Sequence, residues 1–128
     1  MAELTFISET GMFHSAVRGT WGKHVEWYGF KPKAHMTPAG AGFVDRSDRT
    51  KQINHSVTFH LSDGLLHAAL KAATAKYHAK FYVVTVCDCV SYTADVARLI
   101  HLKVAKVNIT PYGLIETLAA WNTHLSKT

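Results

Sequence analysis

Hydrophobic and polar positions follow two different periods along the chain. Up to Leu61 they tend to alternate, as half-buried strands require, and from Ser62 onward they recur every three or four residues, as amphipathic helices require. Three strand-like runs open the chain: ELTFIS (residues 3–8), MFHSAVRG (12–19) and KHVEWYGF (23–30). Between the last two, GTWG (19–22) supplies a tight turn, which predicts a hairpin. The segment KPKAHMTPAGAGFVDRSDRTKQ (31–52) holds all but one of the chain's prolines, several glycines and a charge run. It reads as a long surface excursion with a short strand at Gly42–Asp45, and Gly40 and Gly42 suit it to a lid over a neighbouring cleft. NHSVTFHL (54–61) alternates again and predicts a further strand.

The helical half has clear starts. Ser62 is placed to cap a helix with Leu66, Ala69, Leu70, Ala73 and Tyr77 on one face. FYVVTV (81–86) reads as a short buried strand or an extended segment leading into the cysteines. From Cys89, apolar residues on more than one side predict a central helix. Thr110 and Pro111 then start a last helix that is expected to bury Leu114, Leu118, Trp121 and Leu125. The pattern is that of one α+β domain, a small antiparallel sheet packed with three helices.

Composition adds limits. The 128 residues are enough to bury a core, and 48% hydrophobic with 18% charged residues describes a globular chain. No apolar run reaches the ~20 residues of a membrane span, so no stable membrane insertion is expected. The start MAELTFISETG lacks a basic region and an apolar core. It does not read as a secretory signal, so the chain is expected to be made in the cytoplasm and to leave, if it does, by a signal-independent route. A net charge of +5 favours anionic contacts. The basic residues are scattered, however, and no aromatic-interleaved basic motif points to nucleic acid.

The chemistry concentrates at Cys87-Asp88-Cys89, where a β-rich run gives way to a helix. C-x-C makes a strained redox pair, and a zinc site lacks a second cysteine pair or a tight histidine array, so no metal or other cofactor is expected. Cys87 ends an apolar run and reads as a small core hydrophobe. Cys89 sits at a helix start, where unpaired N–H groups and about half a unit of positive charge favour a thiolate. A nucleophile needs a base, and His14, within the apolar run GMFHSAV, is the best placed. A turn centred on Thr20 would set Glu26 opposite His14 as the third member of a triad. A turn shifted by two residues would set His24 there instead. The remaining histidines read as ordinary surface or satisfied residues.

The histidine hairpin, the following WYGFKP (27–32), the VTFHLSD step (57–63), and CDCVSYTADVARLIHL (87–102) ending in TPYGLIETL (110–118) together resemble the circularly permuted NlpC-like branch of the papain-fold cysteine hydrolases. That branch includes bacterial effectors and relatives of lecithin:retinol acyltransferase, and the likeness spans about Phe13 to Leu118. Its usual asparagine-cysteine motif, followed by two residues and an aromatic, corresponds to Asp88-Cys89-Val90-Ser91-Tyr92. The resemblance implies a permuted papain-like fold with Cys89 as nucleophile and His14 as general base. Glu26, with His24 in reserve, would be the third residue. It also implies an amidase acting on peptide bonds of cell-wall peptidoglycan. Such a protein would be an antibacterial effector delivered by a type VI, contractile secretion machine, with an immunity protein as partner. A lipid-directed acyl enzyme of the same fold and a non-catalytic binding module are the alternatives.

Overall fold

A computed structural model of the chain describes residues 2–9, 14–32, 39–48, 50, 53–77, 80–83, 88–105 and 110–122. Six strands, β1 (Ala2–Glu9), β2 (Ser15–Trp21), β3 (His24–Pro32), β4 (Ala39–Asp45), β5 (Ile53–Leu61) and β6 (Phe81–Val83), form one sheet in the order β5-β1-β2-β3-β4-β6. Every pairing is antiparallel. Three helices, α1 (Asp63–Tyr77), α2 (Cys89–Leu99) and α3 (Pro111–Trp121), complete an α+β fold of a small antiparallel sheet and three helices. Among the described residues no helix is long and apolar enough to cross a membrane.

The alternating pattern decides which strand face the helices cover. Leu4 and Phe6 of β1, Val17 of β2, Tyr28 and Phe30 of β3 and Val57 and Phe59 of β5 share a core with Leu66 and Leu70 of α1, Val90 and Val96 of α2, and Leu114 and Leu118 of α3. The intervening residues turn to the other face, where Thr5 and Thr58 join hydroxyls at 2.9 Å and Ile7, Ala16 and Trp27 are buried. Within the core, rings run from Tyr82 to Phe30, Tyr77 and Tyr92, with successive centroids 5.0–5.5 Å apart. These edge-on and tilted contacts tie β3 and β6 to α1 and α2.

Helix starts follow the sequence. Ser62 Oγ accepts from Leu65 N–H at 3.2 Å and Thr110 Oγ1 accepts from Gly113 N–H at 3.0 Å, each satisfying an otherwise orphaned donor. Asp88 caps α2, accepting from the N–H groups of Val90 and Ser91, both at 3.0 Å, while Ser91 Oγ accepts from the Asp88 N–H at 3.2 Å. At the end of α3 the buried Asn122 exchanges bonds with both the N–H and the C=O of Lys103, fastening the α2–α3 connection.

Several sequence expectations are corrected. The β2–β3 turn lies at Gly22–Lys23, with Gly22 at φ +57°, and Trp21 pairs with His24. Gly19, expected in the turn, lies within β2. A Cβ there would come within 3.3 Å of Leu66 and Leu70, so glycine serves helix packing. The segment after β3 contributes more to the sheet than expected, since β4 pairs with both β3 and β6. Gly42 of that strand, considered for a mobile lid, is buried against the Phe30 ring. Trp121, expected in the core, is 47% exposed. Leu125, Cys87 and residues 33–38 lie outside the described residues.

Candidate functional site

Cys89 is the first residue of α2 and is fully buried. Where its sulfur sits follows from the strand ladder. Glu9 N–H donates to the His14 carbonyl at 3.1 Å. In the alternation of an antiparallel pair, the N–H of the next residue, Ser15, must therefore turn away from β1 toward β3. Pairing between β2 and β3 nevertheless stops at Val17–Tyr28, although both strands continue past it. The Ser15 N–H is satisfied instead by the Cys89 sulfur. The thiol thus occupies the opening where β2 and β3 separate. The Ser15 hydroxyl also bonds the Cys89 carbonyl and the Thr93 hydroxyl, both at 2.9 Å, locking the first turn of α2 onto β2.

Burial dominates the electrostatics of that thiol, pushing its pKa up to about 11. Hydrogen bonds from Ser15 and the Tyr82 hydroxyl pull it down, and the Asp88 carboxylate pushes it further up. The helix start that favours a thiolate is outweighed by exclusion of water, so at neutral pH Cys89 is a neutral thiol. Tyr82 is shifted upward as well, by its burial first and then by Cys89 and Asp88, and it remains a phenol that can donate to the sulfur.

His14 stands next to Ser15 and turns to the other side of the sheet. Its Nε2 lies 3.3 Å from Glu9 Oε2, with both side chains almost fully buried. The ring covers Gly29 so closely that a Cβ at that position would sit 3.0 Å from Nε2. Gly29 is a position where the absence of a side chain makes room for an imidazole. The Cys89 thiol and the His14 ring therefore approach the same β2–β3 opening from its two faces.

The third residue inferred from the sequence is corrected. Glu26 pairs with Gly19, far along the hairpin from His14, and faces the helices rather than the His14 side. It accepts from the Tyr28 hydroxyl at 2.5 Å and pairs with Arg46 at 3.2 Å. His24 is exposed and stacks on Trp21 with centroids 5.5 Å apart. The carboxylate that meets His14 is Glu9, which sequence reasoning missed. A signal existed: Glu9 and His14 are separated by only four residues, Thr10 to Phe13, between two strand-like runs, the arrangement of a second hairpin.

Among the described residues no group of three or more His, Cys, Asp or Glu side chains is arranged to hold a metal ion. No family model matches the chain, and no curated protein or solved structure matches it.

Proposed function

We propose that this chain is a cysteine hydrolase of the permuted papain-like kind that cleaves amide bonds in the peptides of bacterial peptidoglycan. The observation that carries the reading is the Cys89 sulfur at a helix start, held in the β2–β3 opening by the N–H of the residue that follows His14. In this reading His14 takes the thiol proton as Sγ attacks the acyl carbon. The tetrahedral oxyanion collapses to a thioester, the C–N bond breaks, and His14 passes the proton to the departing amine. Water, deprotonated by His14, then releases the acid and restores the thiol. Glu9 holds the imidazole in the required tautomer and stabilises its charged form, the role first assigned to Glu26. The resting fold encloses the sulfur, so substrate binding has to widen the β2–β3 opening before proton transfer. As a cell-wall-directed effector, the protein would travel through a signal-independent secretion apparatus and be neutralised by an immunity protein.

A second reading, a binding module with Cys89 as a core thiol, is favoured by the complete burial of Cys89 and its upward-shifted pKa. Digestion of purified peptidoglycan, followed by mass spectrometry of the released fragments, separates the two. The hydrolase reading expects new peptide termini with the wild type, and at least ~100-fold fewer with Cys89→Ala or His14→Gln, the scale of a lost nucleophile or base. Equal fragment yields for wild type and Cys89→Ala, or none from any form, would overturn it.

A further inference from the structure

An open groove of about 470 Å³ runs between α1 and β3, on the helical face of the sheet and separate from the His14 side. One wall is a stripe of α1, with His67, Lys71, Thr74 and Ala75 at helical spacing, and the other is made by Tyr28 and Arg46. Its most constrained cation is Arg46. The guanidinium lies over the Tyr28 ring, 4.0 Å from the centroid. Arg46 Nε donates to the Trp27 carbonyl at 3.0 Å, and Nη2 pairs with Glu26 at 3.2 Å. Glu26 is itself held by the Tyr28 hydroxyl. Three contacts thus fix the plane of a side chain that ordinarily samples many rotamers, while an arginine's five N–H donors exceed the two these contacts use.

We propose that this groove binds a peptide carboxylate, with Arg46 as the fixed fork and Lys71 as the second positive charge across the groove. A planar, bidentate acceptor matches a guanidinium whose orientation is already set, so little ordering entropy opposes binding. Among the described residues Lys71 has no ion-pair partner, and it is exposed on the α1 wall. Glu26, the carboxylate paired with Arg46, is on the side of the guanidinium already engaged, and the chain's net charge of +5 adds a general attraction for anions. Leu70, Ala75 and the Tyr28 ring give the groove apolar surface for the remainder of a peptide. The groove's affinity for a carboxylate is independent of the chemistry at Cys89.

The test is titration of the full-length protein with N-acetyl-alanyl-glutamic acid blocked as its α-methylamide, with the equally blocked neutral isostere N-acetyl-alanyl-glutamine α-methylamide and with inorganic phosphate, followed by amide chemical shifts. The dipeptide acid is expected to shift Lys71, Thr74 and Tyr28, and to bind at least ten-fold more tightly than the amide. Lys71→Gln and Arg46→Gln are each expected to weaken it several-fold, with unchanged circular dichroism. Arg46→Lys, which keeps the charge and loses the fork, is expected to recover less than half of the binding. Equal binding of acid and amide, shifts confined to another surface, or tighter binding of phosphate than of the dipeptide acid would overturn the proposal.

Discussion

Among the described residues three histidines meet carboxylates, and two of these pairs, His14–Glu9 and His55–Glu116, differ in almost everything except composition. His14 and Glu9 meet at 3.3 Å with side chains 5% and 0% exposed, joining β1 to the residue before β2. His55 and Glu116 meet at 2.7 Å with side chains 32% and 55% exposed, joining β5 to α3, and Tyr112 stacks on the same imidazole at 4.7 Å. The closer pair is the weaker constraint. Water solvates either partner of the outer pair when the other leaves, whereas removal of one buried partner strands the other in a medium that cannot solvate it. Separation alone therefore does not rank such contacts. Access to water ranks them, and the same factor holds Cys89 neutral despite its place at a helix start.

The contrast can be broken at four points. Glu9→Ala is expected to be the most damaging, costing about 3 kcal/mol in urea unfolding, because it leaves a buried histidine without its carboxylate. A loss under about 1 kcal/mol would mean that the inner pair is no better than a surface contact. Next comes a pH effect. Cys89 has a folded pKa of about 11 against an ordinary 9.0, so below pH 9 the thiol is protonated in both states. Between 9 and 11 the unfolded chain gives up this proton and the folded one does not, so stability falls as pH rises. That loss, on the order of 2–3 kcal/mol when complete, is expected as the difference between the stability–pH curves of wild type and Cys89→Ala. Parallel curves would show that the thiol is already solvated.

Gly29→Ala places a methyl 3.0 Å from His14 Nε2 and is expected to cost about 2 kcal/mol, shifting the imidazole resonances of His14 while leaving those of His55 in place. Unmoved His14 resonances would remove Gly29 from the site. His55→Ala, the smallest effect, should cost under ~1 kcal/mol and disappear at high salt apart from its ring contact with Tyr112.

Much of the architecture was legible because its determinants are local. Ser62, Asp88-Cys89 and Thr110-Pro111 mark helix starts through hydrogen bonds made within three residues, and the β-rich runs at residues 3–8 and 54–61 mark strands that form, although β1 is buried on both faces. Cys89 and His14 were visible in the sequence as candidates, but their surroundings were not. Hairpin register depends on which glycine forms the turn, and Gly19 and Gly22 look alike in sequence. Only packing against Leu66 and Leu70 assigns Gly19 to the strand. With that register Glu26 moves away from His14, and a carboxylate on β1 takes its place. The Cys89 pKa was misjudged for a similar reason, since a helix start is visible in sequence and the depth of its burial is not.

The state of the Cys89 thiol is the central claim, and its alkylation by iodoacetamide from pH 6 to 11.5, resolved by peptide mass spectrometry, tests it most directly. The structure requires slow modification of Cys89 at pH 7, rising with an apparent pKa near 11. The proposed hydrolase reading further expects acceleration at pH 7 on addition of peptidoglycan fragments, and loss of that acceleration in His14→Ala. Fast modification in the absence of fragments, with an apparent pKa below about 8.5, would contradict the enclosed neutral thiol on which this description of the site depends.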